Sequence, residues 1–153
     1  MQASVTAAPA VTTRRAYLVI ALLALAGIFV SSVSLYHHFS KSKTSFCDIG
    51  QSFNCDLVNR SQYSMFHGIP VALLGMFGYL LILSLATVYR EKAETPFILS
   101  GITVAGLGFA LYLTYIEAFV LHAWCILCLS SLALIVVATV LSLWNAAKAL
   151  KNQ

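Results

Sequence analysis

The sequence predicts an all-α membrane protein that folds as a four-transmembrane-helix bundle. Of its 153 residues, 60% are hydrophobic and only 9% are charged, so the chain has more apolar surface than a water-soluble core of this size can bury. Crossing a bilayer takes about 20 mostly apolar residues, and the chain contains four such runs. The predicted spans are residues 16–36, 70–89, 96–120 and 124–144, none of which contains Lys, Arg or Asp.

The first span is predicted to be an uncleaved anchor. Two arginines precede the apolar run, and Ala24 and Ala26 resemble a cleavage site, so a removed signal peptide is the alternative. The run continues to Tyr36, well past that site, which favours the anchor. The residues before it, 1–15, are rich in Ala and Thr, and we expect them to form a disordered cytoplasmic N-terminus.

The connections between the spans predict a single compact domain over residues 16–144. The first connection is a long outer loop, residues 37–69, and the other two are short, residues 90–95 and 121–123. Short connections place successive helices side by side in a bundle. The last residues, 145–153, are predicted to be a cytoplasmic tail.

The distribution of basic residues predicts that both termini are cytoplasmic. Cytoplasmic flanks of membrane spans carry an excess of Lys and Arg. One side of the predicted bundle has Arg14, Arg15, Arg90, Lys92, Lys148 and Lys151, and the other has Lys41, Lys43 and Arg60. The net charge of +4 is explained by this topology, and no dense basic patch or aromatic motif indicates nucleic-acid binding.

All four cysteines fall on the outer side of this topology. Cys47 and Cys55 bracket a hydrophilic stretch of the outer loop, and Cys125 and Cys128 form a C-x-x-C pair where the last span begins. An even number of cysteines in an oxidising compartment indicates disulfides. The loop pair is an accessible bridge or else a structural staple. The C-x-x-C sulfurs share one helix face near a helix N-terminus, which lowers a thiol pKa.

Two redox pairs on one face predict a relay by thiol–disulfide exchange. Electrons would run from a substrate thiol through Cys47 and Cys55 to Cys125 and Cys128. The chain has no nucleotide fingerprint and no haem-type C-x-x-C-H, so a membrane quinone is the predicted acceptor. The resting state is left open, because a Cys55–Cys125 bridge and two bridges within the pairs are equally plausible.

The stretch FCDIGQSFNCDLVNRSQYS, followed much later by CILCLSS, resembles the vitamin K epoxide reductase family, in particular its bacterial quinone-reducing members. The resemblance runs from about Leu18 to Trp144. It implies a four-helix bundle around a quinone, capped by the outer loop and by a short half-helix near residues 53–62. Ser61 would help to order this cap.

The resemblance also implies roles for the cysteines in a bacterial cytoplasmic (inner) membrane. Cys47 would exchange with a separate thioredoxin-like (DsbA-like) disulfide carrier, Cys55 would pass electrons to Cys125, and Cys128 would react with the quinone on the periplasmic side. Vertebrate members carry a tyrosine at the position of Leu132, which favours ubiquinone or menaquinone over vitamin K epoxide as the substrate here.

Several further residues are candidates for the quinone pocket or for proton transfer. Tyr112 and Tyr115 are candidates for the quinone pocket, together with Ser61 and Leu132, although interfacial aromatics are expected in any membrane helix. Glu117 is interpreted as an interfacial carboxylate reached by water rather than as a proton donor to a reduced quinone.

Two other classes of protein fit part of the pattern. The first is a metal-binding membrane protein that uses the Cys and His residues as ligands, although C-x₇-C is a poor zinc half-site. The second is a non-catalytic membrane scaffold whose disulfides only staple the outer loop.

Overall fold

The structure is a computed structural model that describes residues 11–40, 50 and 52–151, with side chains from residue 14 onward. It is dominated by helices. The helices are α1 Val11–Phe39, α2 Cys55–Asn59, α3 Val71–Thr87, α4 Thr95–Ile116 and α5 Ile126–Lys151. A 3-10 turn at Gln62–Ser64 and an antiparallel hairpin of β1 Met65–Phe66 and β2 Ile69–Pro70 lie between α2 and α3, and a π-helical segment at Glu117–Leu121 extends α4.

Three helical segments in the described part of the chain are long and apolar enough to cross a membrane. They are Arg14–Phe39, Thr95–Leu121 and Ile126–Lys151. The fourth apolar helix, α3, has 17 residues, which gives it a length of about 25 Å against a hydrocarbon core of about 30 Å. The prediction of an all-α membrane protein is therefore confirmed, and a fourth crossing by α3 stays a prediction.

The helix ends differ from the predicted spans at both termini. Helix α1 begins at Val11, inside the segment expected to be disordered, and α5 continues to Lys151, inside the expected tail. Ala, Leu and Lys, which dominate the end of α5, are strong helix formers. Hydropathy detects only the apolar part of a helix. Polar residues with high helix propensity extend both helices beyond the predicted spans.

The four long helices pack around one apolar core. Helix α1 contacts α3 and α5, and α4 contacts α5 and α3. The core consists of buried residues from all four helices: Tyr17, Ile20, Ala21, Ala24, Tyr79, Ile82, Leu85, Ala86, Leu99 and Ile135. The Tyr79 hydroxyl donates to the Ser131 carbonyl oxygen at 2.9 Å and so connects α3 to α5. Three of these core residues, Tyr79, Ile82 and Ile135, also line a cavity between the helices.

Gly27 permits the close approach of α1 to α3. A Cβ atom at Gly27 would lie 2.4 Å from the Tyr79 ring, whose hydroxyl is held by Ser131. We therefore expect Gly27→Ala to lower the free energy of unfolding by about 1–3 kcal/mol, the typical cost of overpacking a core. Thermal unfolding in detergent measures this change. Gly101→Ala is the control, since among the described residues its added Cβ has nothing within 4 Å beyond its chain neighbours and the backbone of its own helix. An equal loss in both variants would contradict the explanation.

Candidate active site

Residues 52–69, which lie between α1 and α3 and are called the outer segment here, are joined to the chain just before α5. The connection is a short parallel bridge between Phe53 and Trp124. The Asn54 N–H donates to the Trp124 carbonyl oxygen at 3.1 Å, and the Trp124 N–H donates to the Ser52 carbonyl oxygen at 2.9 Å. These bonds fix the residue before Cys55 beside the residue before Cys125. Two cysteines that are 70 positions apart in the sequence are thereby brought to one place.

Helix α2 is the half-helix expected near residues 53–62, and it spans Cys55–Asn59. Asn54 caps it, because its side-chain oxygen accepts the Leu57 N–H at 2.8 Å. The inward face of α2 places Cys55 in one buried cluster with Cys125, and both residues are 0% exposed. Cys128 packs against the same cluster. Cys55 of the loop and Cys125 of the C-x-x-C pair are therefore neighbours in one buried cluster.

The three cysteines that the structure describes are in two different oxidation states. Cys55 is disulfide-bonded, whereas Cys125 and Cys128 are free thiols. A Cys55–Cys125 bridge, which the sequence left open, is thus not the state of this structure. Cys47 belongs to residues 41–49, outside the described part of the chain, and the prediction for it is neither confirmed nor contradicted.

The C-x-x-C pair adopts the geometry of a helix cap. Helix α5 begins at Ile126, so Cys125 directly precedes the helix instead of lying in its first turn. The Cys128 N–H donates to the Cys125 sulfur at 3.4 Å, as the third helical N–H does to a capping side chain. The hydrogen bond from the Cys128 side chain lowers the pKa of the Cys125 thiol, although burial acts in the opposite direction. The hydrogen bonds of this cap therefore favour the thiolate form of Cys125.

Glu117 is buried next to these thiols. It begins the π-helical segment that ends α4 and is 1% exposed. Its Oε2 accepts the Cys125 N–H at 3.1 Å, and its Oε1 is buried with no hydrogen-bond partner among the described residues. The interpretation of Glu117 as a water-exposed interfacial carboxylate is wrong. The signal that could have found it is an ionisable residue inside an apolar span, which is costly there without a function.

Local backbone geometry turns the Glu117 side chain toward the thiols. His122 has a left-handed conformation with φ of 51° and ends the π-helical segment, while its N–H donates to the Glu117 carbonyl oxygen. The Ala123 N–H donates to the same oxygen at 3.2 Å. The chain therefore reverses tightly between Glu117 and Cys125. π-Helical segments of this kind are frequent at functional sites.

The side chains of Glu117, Cys125 and Cys128 have their potential ligand atoms within 4.8 Å of one another. A structural zinc site uses four protein ligands, mostly Cys and His, and no fourth such group joins this cluster among the residues for which the structure gives side chains. The donor set fits a closed metal centre poorly. Two free thiols beside a disulfide-bonded cysteine fit redox chemistry better.

A cavity of about 200 Å³ lies between the helices and under the outer segment. Its polar lining includes Cys128, Glu117 and Ser61, and its apolar walls include Val30, Leu74, Ile82, Phe109, Leu113 and Ile135. Cavities of roughly 150 Å³ hold a benzene ring, so this one has room for a ring-sized headgroup. Apolar walls with a few directed polar groups are typical of cofactor sites, and they fit a quinone.

The cavity contains only some of the predicted pocket residues. Cys128 and Ser61 line it, and the Ser61 hydroxyl donates to the Val58 carbonyl oxygen at 2.8 Å, which orders the turn after α2. Leu132 packs against the main apolar core and does not line the cavity. Tyr112 and Tyr115 are 55% and 58% exposed on the outer surface of α4. None of these three residues is among those that line the cavity.

Asn59 is a cavity residue that sequence reasoning missed. Its Oδ1 accepts the Ser34 hydroxyl at 2.8 Å, and its carbonyl oxygen contacts His38 Nδ1. Its Nδ2 is buried with no partner in the described part of the chain. Nothing in the sequence singles out this asparagine, because its partners lie on α1 and become neighbours only when the chain folds. These bonds secure the outer segment to α1.

The profile of the vitamin K epoxide reductase family matches residues 18–143. The match covers most of the chain, including all four cysteines, Glu117 and the helices that enclose the cavity. The family consists of oxidoreductases, so the arrangement of thiols and cavity is that of a membrane redox protein. The resemblance found in the loop and C-x-x-C motifs is confirmed.

Proposed function

This chain belongs to the vitamin K epoxide reductase family, and we propose that it is a thiol:quinone oxidoreductase that forms disulfides for a separate thioredoxin-like partner. The observation that carries the proposal is the cluster in which the disulfide-bonded Cys55 meets the free thiol of Cys125 while Cys128 lines an apolar cavity. In the proposed relay, Cys47 and Cys55 exchange with the protein partner, and Cys128 reacts with a lipid-soluble acceptor.

The first half of the proposed reaction brings electrons to the inner pair. The partner's two thiols become a disulfide by exchange with the outer pair, Cys47 and Cys55, which we propose to be bridged to each other at rest. The reduced Cys55 then attacks Cys125 in an inner disulfide, and Cys128 leaves as a thiolate. Cys47 next attacks Cys55, which restores the outer disulfide and releases Cys125 as a thiolate. Burial of Cys55 and Cys125 in one cluster supports this step. The described state, with Cys125 and Cys128 reduced, corresponds to its completion.

The second half of the proposed reaction passes the electron pair to a quinone in the cavity. A bound quinone supplies an acceptor for two electrons and two protons. Cys128 lies in the cavity wall, whereas Cys125 stays buried behind it, so Cys128 is the thiol placed to react. The two thiols end as a Cys125–Cys128 disulfide. We propose ubiquinone or menaquinone as the acceptor.

The proposed topology has four spans, with α3 as the fourth, and both termini in the cytoplasm of a bacterial cell. The Phe53–Trp124 bridge places the outer segment and the C-x-x-C pair at the same end of the bundle, in keeping with a periplasmic redox site. Lys148 lies over the Trp144 ring at 5.4 Å near the other end of α5, as basic and aromatic residues do at a membrane boundary.

Purified protein given a reduced thioredoxin-like partner and a soluble ubiquinone analogue tests this function. We expect one quinone to be reduced for each disulfide formed in the partner, followed by quinone absorbance and by thiol titration of the partner. Failure to reduce any quinone, with the protein folded and the partner reduced, would reject the proposal. All four cysteines can also be replaced together. If this variant is less stable but disulfide formation is unaffected, the protein is instead a non-catalytic scaffold.

A further inference from the structure

We propose that Glu117 is the proton carrier between the Cys125 and Cys128 thiols and the molecule that is reduced in the cavity. The inference rests on the proposed function and adds a residue that the electron relay does not include. Oxidation of two thiols releases two protons, and reduction of a quinone consumes two. In an apolar cavity these protons need a side chain that accepts and returns them.

The two carboxylate oxygens of Glu117 are placed for different tasks. Oε2 accepts the Cys125 N–H at 3.1 Å, which fixes the side chain. Oε1 is buried and has no partner among the residues that the structure describes. The carboxylate lies within 4.8 Å of both sulfurs and lines the same cavity as Cys128. One oxygen is thus anchored, while the other is free to take a proton.

A purely structural role does not explain a carboxyl group at this position. Holding one N–H needs a single oxygen, which glutamine supplies without the cost of placing an ionisable group in a membrane span. The other titratable side chains known to line the cavity are His38, Tyr63 and Tyr79. His38 contacts the Asn59 carbonyl oxygen and the Tyr79 hydroxyl binds Ser131, so both are already engaged. Tyr63 is 41% exposed and is open to solvent.

The proposed step balances in atoms and electrons. The Glu117 carboxylate takes the proton of one thiol and delivers it to an oxygen of the electron acceptor, and it then does the same for the second thiol. The two sulfurs lose two electrons and join as a disulfide, and the acceptor gains two electrons and two protons. Glu117 ends in the protonation state in which it began.

Glu117→Gln separates proton transfer from positioning, because the amide oxygen still accepts the Cys125 N–H but the side chain no longer carries a proton. The two half-reactions are measured apart by stopped flow. In the first, oxidised protein meets the reduced thioredoxin-like partner without quinone. In the second, reduced protein meets a soluble ubiquinone analogue. We expect Glu117→Gln to slow the second by about 10²- to 10⁴-fold, the usual contribution of acid–base catalysis, and to leave the first nearly unchanged.

The pH profile and two further variants decide between the explanations. The rate of the wild-type quinone half-reaction should change with pH, and this change should be absent in Glu117→Gln. If Glu117 only positions other groups, the substitution should instead lower the rate by the same factor at every pH. Glu117→Asp keeps the carboxyl group and should retain the pH dependence at a reduced rate, and it replaces the glutamine variant if that one fails to fold. Glu91→Gln is the matched control, since the Glu91 side chain is 76% exposed, and it should behave as wild type.

Three results would overturn the inference. An unslowed quinone half-reaction in a folded Glu117→Gln protein would remove Glu117 from proton transfer and leave the proposed function intact. A uniform loss of both half-reactions would assign Glu117 a positioning role. A wild-type protein that reduces no quinone would overturn the proposed function, and the inference with it.

Discussion

Cys128→Ala is expected to lower quinone reduction by about a thousandfold or more, while the protein still folds and still exchanges disulfides through its outer pair. Removal of a reacting group typically has an effect of this size or larger. Of the three cysteines that the structure describes, Cys128 is the one that lines the cavity. Cys55 and Cys125 are completely buried, so neither replaces it at the quinone. Steady-state quinone reduction with a reduced thioredoxin-like partner measures the loss.

Ser130→Ala provides the matched control for this variant. Ser130 lies two positions further along α5, and its hydroxyl donates to the Ile126 carbonyl oxygen at 2.8 Å. It does not line the cavity. We expect this variant to reduce quinone at the wild-type rate. Retained turnover in Cys128→Ala would show that the electron pair leaves the protein elsewhere, and the proposed route would then be wrong.

The proximity of the two C-x-x-C cysteines could be predicted because it depends on a short spacing. Residues three apart at the start of a helix have neighbouring side chains whatever the rest of the fold does, so the proximity of Cys125 and Cys128 followed from the sequence. Their exact geometry did not follow, since the helix begins one residue later than needed to include Cys125. Helix ends depend on capping bonds, and here the cap is the Cys125 sulfur itself.

The cavity could not be predicted because an almost uniformly apolar helix does not reveal its rotation about its own axis. In α4, Phe109 and Leu113 face the cavity, while Tyr112 and Tyr115 lie on the opposite, exposed side. Hydropathy is similar on both faces, so the tyrosines were as plausible as their neighbours. The environment of Glu117 was predicted wrongly for the same reason. The sequence does not show whether a carboxylate near a helix end faces water or the interior of the bundle.

Cys55→Ser is expected to trap a mixed disulfide between Cys47 and the thioredoxin-like partner. Cys55 is 0% exposed in its cluster, so an incoming protein has to react with Cys47, and Cys55 is the thiol that would release it. The partner is prepared with a single active-site cysteine activated as a thionitrobenzoate mixed disulfide. Attack by Cys47 then releases one coloured thiolate and links the two proteins, which a non-reducing gel detects. Quinone reduction by this variant should also be lost, because it lacks Cys55, the thiol that shares a buried cluster with Cys125 and attacks it.

The matched control for the trap is Cys47→Ser, which leaves Cys55 as the outer thiol. Burial against Ala123 and Cys125 keeps Cys55 away from a protein surface, so we expect this variant to release little thionitrobenzoate and to form little linked product. The opposite pattern, a trap in Cys47→Ser and none in Cys55→Ser, would reverse the order of the outer pair. Equal trapping in both would mean that the outer segment opens far enough to expose Cys55. The bonds joining Asn54 and Ser52 to Trp124 would then have to break during turnover.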